Sequence, residues 1–141
     1  MGTPKLKIAP VFAVRGADEV LGTYPDGTAG VTASRTGKAT TVFCGPYQTD
    51  LRFLRSVAKR AGVHLYSDTL DPVEANERLF TLHARFAGKK TVRLPKKTSV
   101  IDVFNRRLVA RDVDSFAFEA PLHSSWLFYL ADDAECLLNE L

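Results

Sequence analysis

Apolar and polar residues alternate over short stretches of this chain, a pattern typical of half-buried β-strands, with one exception. The exception is residues 49–62, where apolar side chains recur at helical spacing and predict one amphipathic helix. Thr49 is the predicted N-cap, Asp50 lies in the predicted first turn, and Gly62 can end the helix in a left-handed conformation. Strands are predicted on either side, at 40–44 and 63–66. This order is βαβ-like and predicts two parallel neighbouring strands covered by the helix.

The residues before this unit predict an antiparallel meander. Strands at 10–14, 19–24, 30–34 and up to Cys44 are separated by turns. In one of these turns, at residues 25–27, glycine follows proline and aspartate and can supply the positive φ that the turn needs.

Residues 67–72 are polar and turn-prone, and they predict a domain boundary. Six short strands are predicted beyond them, at 78–84, 91–94, 99–104, 108–111, 114–119 and 125–130. Regular strands with turn signals between them favour a small antiparallel sandwich. The predicted fold is therefore α+β and mainly β, an antiparallel β-sandwich with one amphipathic helix in a βαβ-like unit. Its predicted parts are residues 1–68, the sandwich at 69–131 and an acidic tail at 132–141, with a short helix over 131–141.

Composition narrows the function classes. The net charge is +3, and five cations crowd residues 89–97, but no aromatic residues interleave with them, so nucleic-acid binding is not expected. No apolar run reaches the ~20 residues of a membrane span, and the N-terminus has no signal-peptide pattern. Cys44 and Cys136 are predicted to be reduced thiols, and the expected location is the cytoplasm.

Neither catalytic nor metal-binding motifs are found, so no catalytic residue, metal or cofactor is predicted. His64 and His83 lie in alternating strand patterns, which favours structural roles over metal binding. A grouping of Ser124, His123 and Asp114 is conceivable, but neighbours on one loop rarely reach nucleophile and base geometry. The acidic residues Glu74 and Glu77, which lie beside Asp71 in a polar segment, are expected to be exposed to solvent. Three aromatic residues are candidates for stacking on a sugar, although a place in the core is the commoner role: Trp126, Tyr129 and Tyr24.

The order of the motifs resembles a known family. Residues 10–14, 19–27 (EVLGTYPDG), 37–46 (GKATTVFCGP), 51–55 and 61–66 (AGVHLY) resemble the end of the flavodoxin- or amidotransferase-like trimerisation domain of β-galactosidase-type glycoside hydrolases. Residues 76–84 (NERLFTLHA), 88–95 (GKKTVRLP), 100–104 (VIDVF) and 126–130 (WLFYL) resemble the small all-β domain that closes those enzymes. The turn glycine of that domain is replaced here by residues 105–107, which leaves the hairpin register open.

The resemblance implies a supporting role. A catalytic (β/α)₈ barrel takes ~250 residues, so 141 residues cannot hold one, and no catalytic glutamate of the family has a counterpart. A partial doubly wound sheet would leave apolar surface to be covered, which predicts a homo-oligomer or another polypeptide as partner. The main hypothesis is a non-catalytic accessory or assembly domain. The alternatives are a stand-alone carbohydrate-binding sandwich, a small enzyme using His83 and His123, and nucleic-acid binding through residues 89–97.

Overall fold

A computed structural model describes residues 10–46 and 50–132. The chain divides into two compact units, Met1–Val57 and Ala58–Leu141. This division falls inside the helix, whereas the sequence placed a boundary near residue 68. Both units contain antiparallel sheets, and the described residues are mainly β with one short helix, as predicted. No helix in the described ranges is long and apolar enough to cross a membrane.

The first unit holds a three-stranded antiparallel meander. Its strands are β1 (Glu19–Thr23), β2 (Ala29–Thr36) and β3 (Ala39–Cys44), in that order across the sheet. The turn between β1 and β2 forms as predicted, with Gly27 at φ 85° and its N–H donating to the Tyr24 carbonyl. The Thr28 hydroxyl and N–H donate to the Asp26 carboxylate, which lowers the pKa of Asp26. Residues 10–14, predicted as a strand, are not in one.

The helix α1 (Leu51–Arg60) has well-defined ends. The Asp50 carboxylate accepts a hydrogen bond from the Arg52 N–H at 2.9 Å, so Asp50 is the N-cap. The predicted cap, Thr49, lies outside the described residues. At the other end, Gly62 has φ 76°. Its N–H donates to the Lys59 carbonyl, and the Val63 N–H donates to the Ala58 carbonyl. This pattern is a Schellman motif, which confirms the predicted helix end.

The second unit is a five-stranded antiparallel sheet in the order β4-β5-β8-β6-β7. Its strands are β4 (Val73–Ala75), β5 (Leu79–His83), β6 (Gly88–Asp102), β7 (Arg107–Ala120) and β8 (Ser125–Ala131). The sequence did not predict β4. It also predicted two short strands in place of each of β6 and β7, and in β6 the residues Pro95 to Lys97 were interpreted as a break between them.

The break is instead an irregularity inside one long hairpin. The pairing of β6 with β7 slips between Arg93 and Thr98 and again before Val100. Opposite this point, Asp112 has φ 49°, and its N–H donates to the Ser99 hydroxyl. Irregularities of this kind bend a strand and tolerate a proline, so the chain continues through them. At the closed end of the hairpin, Asp102 pairs with Arg107. The turn residue Arg106 has the left-handed conformation (φ 49°) that a turn glycine would adopt.

The predicted βαβ-like unit does not form, so that part of the fold prediction was wrong. Residues 63–66 are not a strand. Instead, the Tyr66 carbonyl accepts the Arg93 N–H at 2.7 Å, and Ser67 forms an antiparallel bridge with Val92. Backbone groups of residues 66 and 67 therefore pair with the long strand β6. The sequence pattern had predicted a parallel strand as their partner.

The core of the second unit surrounds Phe128. The ring centroid of Phe128 lies 5.0 Å from those of Phe116 and Phe118 and 6.3 Å from that of Phe80. The same buried cluster contains Val92 and Leu94, before the irregularity of β6, and Val100, after it. Both halves of the long strand therefore contribute to one core.

We expect Phe128→Ala to lower the free energy of unfolding by about 3 to 5 kcal/mol, because it removes a fully buried ring and leaves a cavity. Phe86→Ala is the matched control, since Phe86 is 66% exposed, and it should change stability by less than about 0.5 kcal/mol. Urea unfolding followed by circular dichroism measures both. Equal losses for the two variants would contradict the position of Phe128 in the core.

Candidate functional site

The turn between β4 and β5 is held rigidly by one asparagine. The Asn76 side-chain oxygen accepts the N–H groups of Arg78 at 2.9 Å and Leu79 at 2.8 Å. The Asn76 N–H also donates to the Leu79 carbonyl at 2.9 Å. This arrangement fixes the backbone that presents Glu77 and Arg78.

The Arg78 side chain is positioned by the next strand in the sheet. Its Nη1 donates to the Tyr129 hydroxyl at 2.9 Å, and its carbonyl accepts the Leu130 N–H at 2.7 Å. The hydrogen bond to Tyr129 raises the pKa of Arg78 above its ordinary value. The guanidinium is therefore a fixed cation at this edge of β5 and β8.

A groove of about 470 Å³ opens beside this turn, and we call it the Arg78 groove. The β4–β5 turn, the irregular part of β6, the segment before β4 and the end of β8 line it: Tyr66, Asn76, Glu77, Arg78, Pro95, Lys96, Thr98, Leu130 and Asp132. Lys96 forms an exposed ion pair with Asp132 at 3.0 Å. The Thr98 hydroxyl donates to the Ala131 carbonyl at 2.7 Å, which ties β6 to β8 where they meet the groove.

A buried ion pair lies elsewhere in the same unit. Lys90 Nζ is 2.7 Å from Asp71 Oδ2, and the two side chains are 4% and 1% exposed. Burial acts to raise the pKa of Asp71, but hydrogen bonds from Lys90, Thr69 and the Arg85 N–H outweigh burial and lower it. The sequence pattern predicted a turn at residues 88–90, and this prediction was wrong, because Lys90 lies in β6. The alternation of Lys90 with Val92 and Leu94 was the signal for an inward side chain.

The basic segment at residues 89–97 is largely paired. Lys90 contacts Asp71, Arg93 Nη1 lies 2.6 Å from Asp68, and Lys96 contacts Asp132. Carboxylates at these distances reduce the positive potential that a phosphate backbone would meet.

The rings of His64 and His83 make hydrogen bonds within the fold, and the ring of His123 makes a stacking contact. His83 Nδ1 lies 2.9 Å from the Ser125 hydroxyl, and these two residues are directly opposed on β5 and β8. The His123 ring stacks at 6.4 Å from the His83 ring, and His64 Nε2 lies 2.9 Å from the Arg93 carbonyl. Within residues 10–46 and 50–132, no carboxylate is hydrogen-bonded to these rings, and no metal-ligand cluster is found.

The grouping of Ser124, His123 and Asp114 is not assembled. The Ser124 hydroxyl donates to the Pro121 carbonyl and accepts the Trp126 indole N–H, while Asp114 accepts the Ser115 hydroxyl. The sequence suggested these residues only because they are close along the chain, and none of these hydrogen bonds joins two of them.

The structure does not bring the three candidate stacking residues together. Trp126 packs against Phe118, with ring centroids 4.7 Å apart, on the core side of β8. Tyr129, three residues further along the strand, lies on the opposite face and binds Arg78. Tyr24 belongs to the first unit, where its hydroxyl donates to the Phe12 carbonyl and its ring lies so close to Gly30 that a Cβ there would be 2.8 Å away.

Cys44 is a free, half-buried thiol, and Cys136 lies outside the described residues. The acidic tail and its predicted short helix lie outside them as well, apart from residues 131 and 132.

The comparisons with known proteins give no family. No protein-family model matches the chain, and no curated protein or solved structure matches it either.

We expect Lys90→Met to destabilise the protein by about 3 to 5 kcal/mol, because it leaves the Asp71 carboxylate buried without its cation. The double variant Asp71→Asn, Lys90→Met should lose less than the sum of the two single variants, as measured by urea unfolding. The exposed pair Lys96 and Asp132 is the control, and its cycle should give only about 0 to 1 kcal/mol. Additive losses at Asp71 and Lys90 would contradict a coupled pair.

The same pair makes a prediction for pH. The folded pKa of Asp71 is lowered, so ionised Asp71 stabilises the fold above its unfolded pKa of about 3.9, and this contribution is lost as pH falls below that value. The stability difference between the wild type and Asp71→Asn should therefore be constant from about pH 5 to 7 and shrink in acid.

Proposed function

We propose that this chain is a non-catalytic accessory and assembly domain, related to the C-terminal region of β-galactosidase-type glycoside hydrolases. In this proposal the second unit is a small antiparallel β-sandwich that packs around Phe128. The first unit supplies the surface through which the domain assembles. Part of the order of elements supports the relationship, because one helix is followed by a small antiparallel β unit, whereas parallel strands of a doubly wound sheet are not formed in the described residues.

The apolar face of α1 is the observation that supports the assembly role. Leu51 and Leu54 lie three residues apart on one face and are 51% and 48% exposed, and no residue of α1 is buried. Burying a leucine fully contributes about 1.5 to 3 kcal/mol, so an uncovered helix face of this kind gains free energy on association. Amphipathic helices in globular proteins obtain most of their stability from packing that face.

The simplest partner is a second copy of the chain. In a twofold dimer the same patch of each subunit lies at the interface, so Leu51 and Leu54 of one copy would pack against Leu51 and Leu54 of the other. Val20 and Phe43 of the meander are also exposed, at 53% and 38%, and add apolar surface to the first unit. Another polypeptide with a matching apolar surface would serve the same assembly role.

The hydrogen bonding of the histidines supports a non-catalytic role. His83 pairs with a serine across two strands, and His64 binds a backbone carbonyl. A general base needs hydrogen-bond reach to a substrate proton and, in triads, a third group that orients it.

Leu54→Asp tests the assembly role, with Ser56→Asp as the matched control. Ser56 is exposed on another face of α1, where its hydroxyl donates to the Arg52 carbonyl. We expect the wild type to self-associate reversibly between about 1 and 300 µM, and Leu54→Asp to raise the dissociation constant at least about tenfold. Ser56→Asp should leave it nearly unchanged.

Sedimentation velocity and light scattering measure this association. A strictly monomeric wild type over the whole concentration range would contradict assembly through a second copy. Equal effects of the two aspartates would contradict the role of the apolar face.

A further inference from the structure

We propose that α1 binds the acidic C-terminal segment of a second copy, residues 133–141, on its basic side. This inference rests on the proposed function, since it names a second surface that meets α1 when two copies assemble. The charge of α1 and the sequence of the segment support it.

One side of α1 is basic. Arg52, Arg55 and Lys59 recur at intervals of three and four residues, so they follow one side of the helix, and we call them the basic stripe. The sequence of the helix, LRFLRSVAKR, holds four cations and no acidic residue. The basic stripe therefore lies along a helix whose other side carries the exposed leucines of the apolar face.

Two residues of the basic stripe have no acidic partner in the part of the chain that the structure describes. Arg52 and Lys59 are exposed, and neither forms an ion pair with a residue in 10–46 or 50–132. The nearest acidic residue along the chain, Asp50, accepts a backbone N–H of α1 as its N-cap. An anionic surface can therefore approach these two cations without displacing another carboxylate.

Assembly through the apolar face raises the need for negative charge. In a twofold dimer the two copies of α1 lie side by side, so the cations of both helices come close to one another. Like charges at short range repel, whereas the same charges on separate copies are far apart and hydrated. An acidic segment that binds the basic stripes therefore favours the dimer.

The C-terminal segment has the complementary chemistry in its sequence. Leu137, Leu138 and Leu141 recur at helical spacing, and the segment contains no cation. These leucines match the exposed Leu51 and Leu54, which adjoin the basic stripe. The acidic residues of the segment are Asp133, Glu135 and Glu140. One segment therefore offers both the anions and the apolar side chains that α1 lacks as neighbours.

The segment is long enough to extend to another molecule. The strand β8 ends at Ala131, and the side chain of Asp132 is 74% exposed, so the chain leaves the sheet at the surface. The nine residues that follow span up to about 30 Å when extended. A pair of helices is about 20 Å wide, since one helix with its side chains is about 10 Å wide.

Charge reversal on each side tests the contact in the full chain. The helix variant carries Arg52→Glu and Lys59→Glu, and the tail variant carries Glu135→Lys and Glu140→Lys. We expect either variant alone to raise the dissociation constant of self-association at least about tenfold at about 50 mM salt, because like charges then face each other. Sedimentation velocity measures these constants, and the difference from the wild type should shrink at about 500 mM salt.

Matched charge changes away from α1 are the controls. Lys38→Glu with Lys97→Glu reproduces the net charge of the helix variant at two exposed positions, and Glu74→Lys with Glu119→Lys does the same for the tail variant. Both control variants should associate like the wild type.

Mixing the two variants shows which copy supplies the segment. The helix variant and the tail variant together should associate within about threefold of the wild-type dissociation constant, since each segment then meets opposite charge on the other copy. The helix variant mixed with the wild type should remain weaker than this mixture, because one of its two contacts stays repulsive. Equal affinity of the two mixtures would indicate direct attraction between the helices and would overturn the proposal.

Two further results would overturn it. One is wild-type affinity of both single variants, and the other is recovery only when both reversals are placed in one chain, which would assign the segment to its own copy. In either case a weaker association of Leu54→Asp would still support assembly through the apolar face. A monomeric wild type would instead contradict assembly through a second copy, and this inference with it.

Discussion

The packing of aromatic rings around Phe128 is the interaction on which the second unit depends. Phe128 lies on β8, while the rings nearest to it, Phe116 and Phe118, belong to β7, which is not a neighbour of β8 in the sheet. The pairing of β6 with β7 is irregular between Arg93 and Thr98, and irregularities of this kind bend a strand.

The same irregularity shapes the groove. Pro95, Lys96 and Thr98 belong to the slipped part of β6 and line the Arg78 groove together with the β4–β5 turn. A departure from regular pairing in β6 therefore lies beside a concave surface with polar side chains. The buried pair of Asp71 and Lys90 adds a second constraint, because its two charges tolerate burial only while they contact each other.

The sequence predicted the local elements well and their long-range pairing less well. The helix with its Gly62 end, the turn at Gly27 and the strands β5 and β8 were predicted because propensity and periodicity act over a few residues. Pro95 was interpreted as a break because the sequence cannot show that a register slip frees its position from donating a hydrogen bond. The βαβ-like unit failed for a related reason, since local alternation does not reveal that residues 66 and 67 pair with β6.

The candidate site was largely invisible to the sequence. Arg78 and Tyr129 are 51 residues apart, and only the pairing of β5 with β8 brings them within hydrogen-bond distance. Spacing along β8 did carry some information, because residues three apart on a strand lie on opposite faces, and Trp126 and Tyr129 therefore could not form one platform. The inward position of Lys90 followed from the same period of two.

Native-state hydrogen exchange of the dilute chain tests most directly whether one buried core and one helix without buried residues coexist in this protein. The account predicts that amides of β5, β6 and β8 exchange together at the free energy of global unfolding, whereas amides of α1 exchange through local opening at a much lower free energy. Protection of α1 equal to that of β8 in the monomer would contradict it.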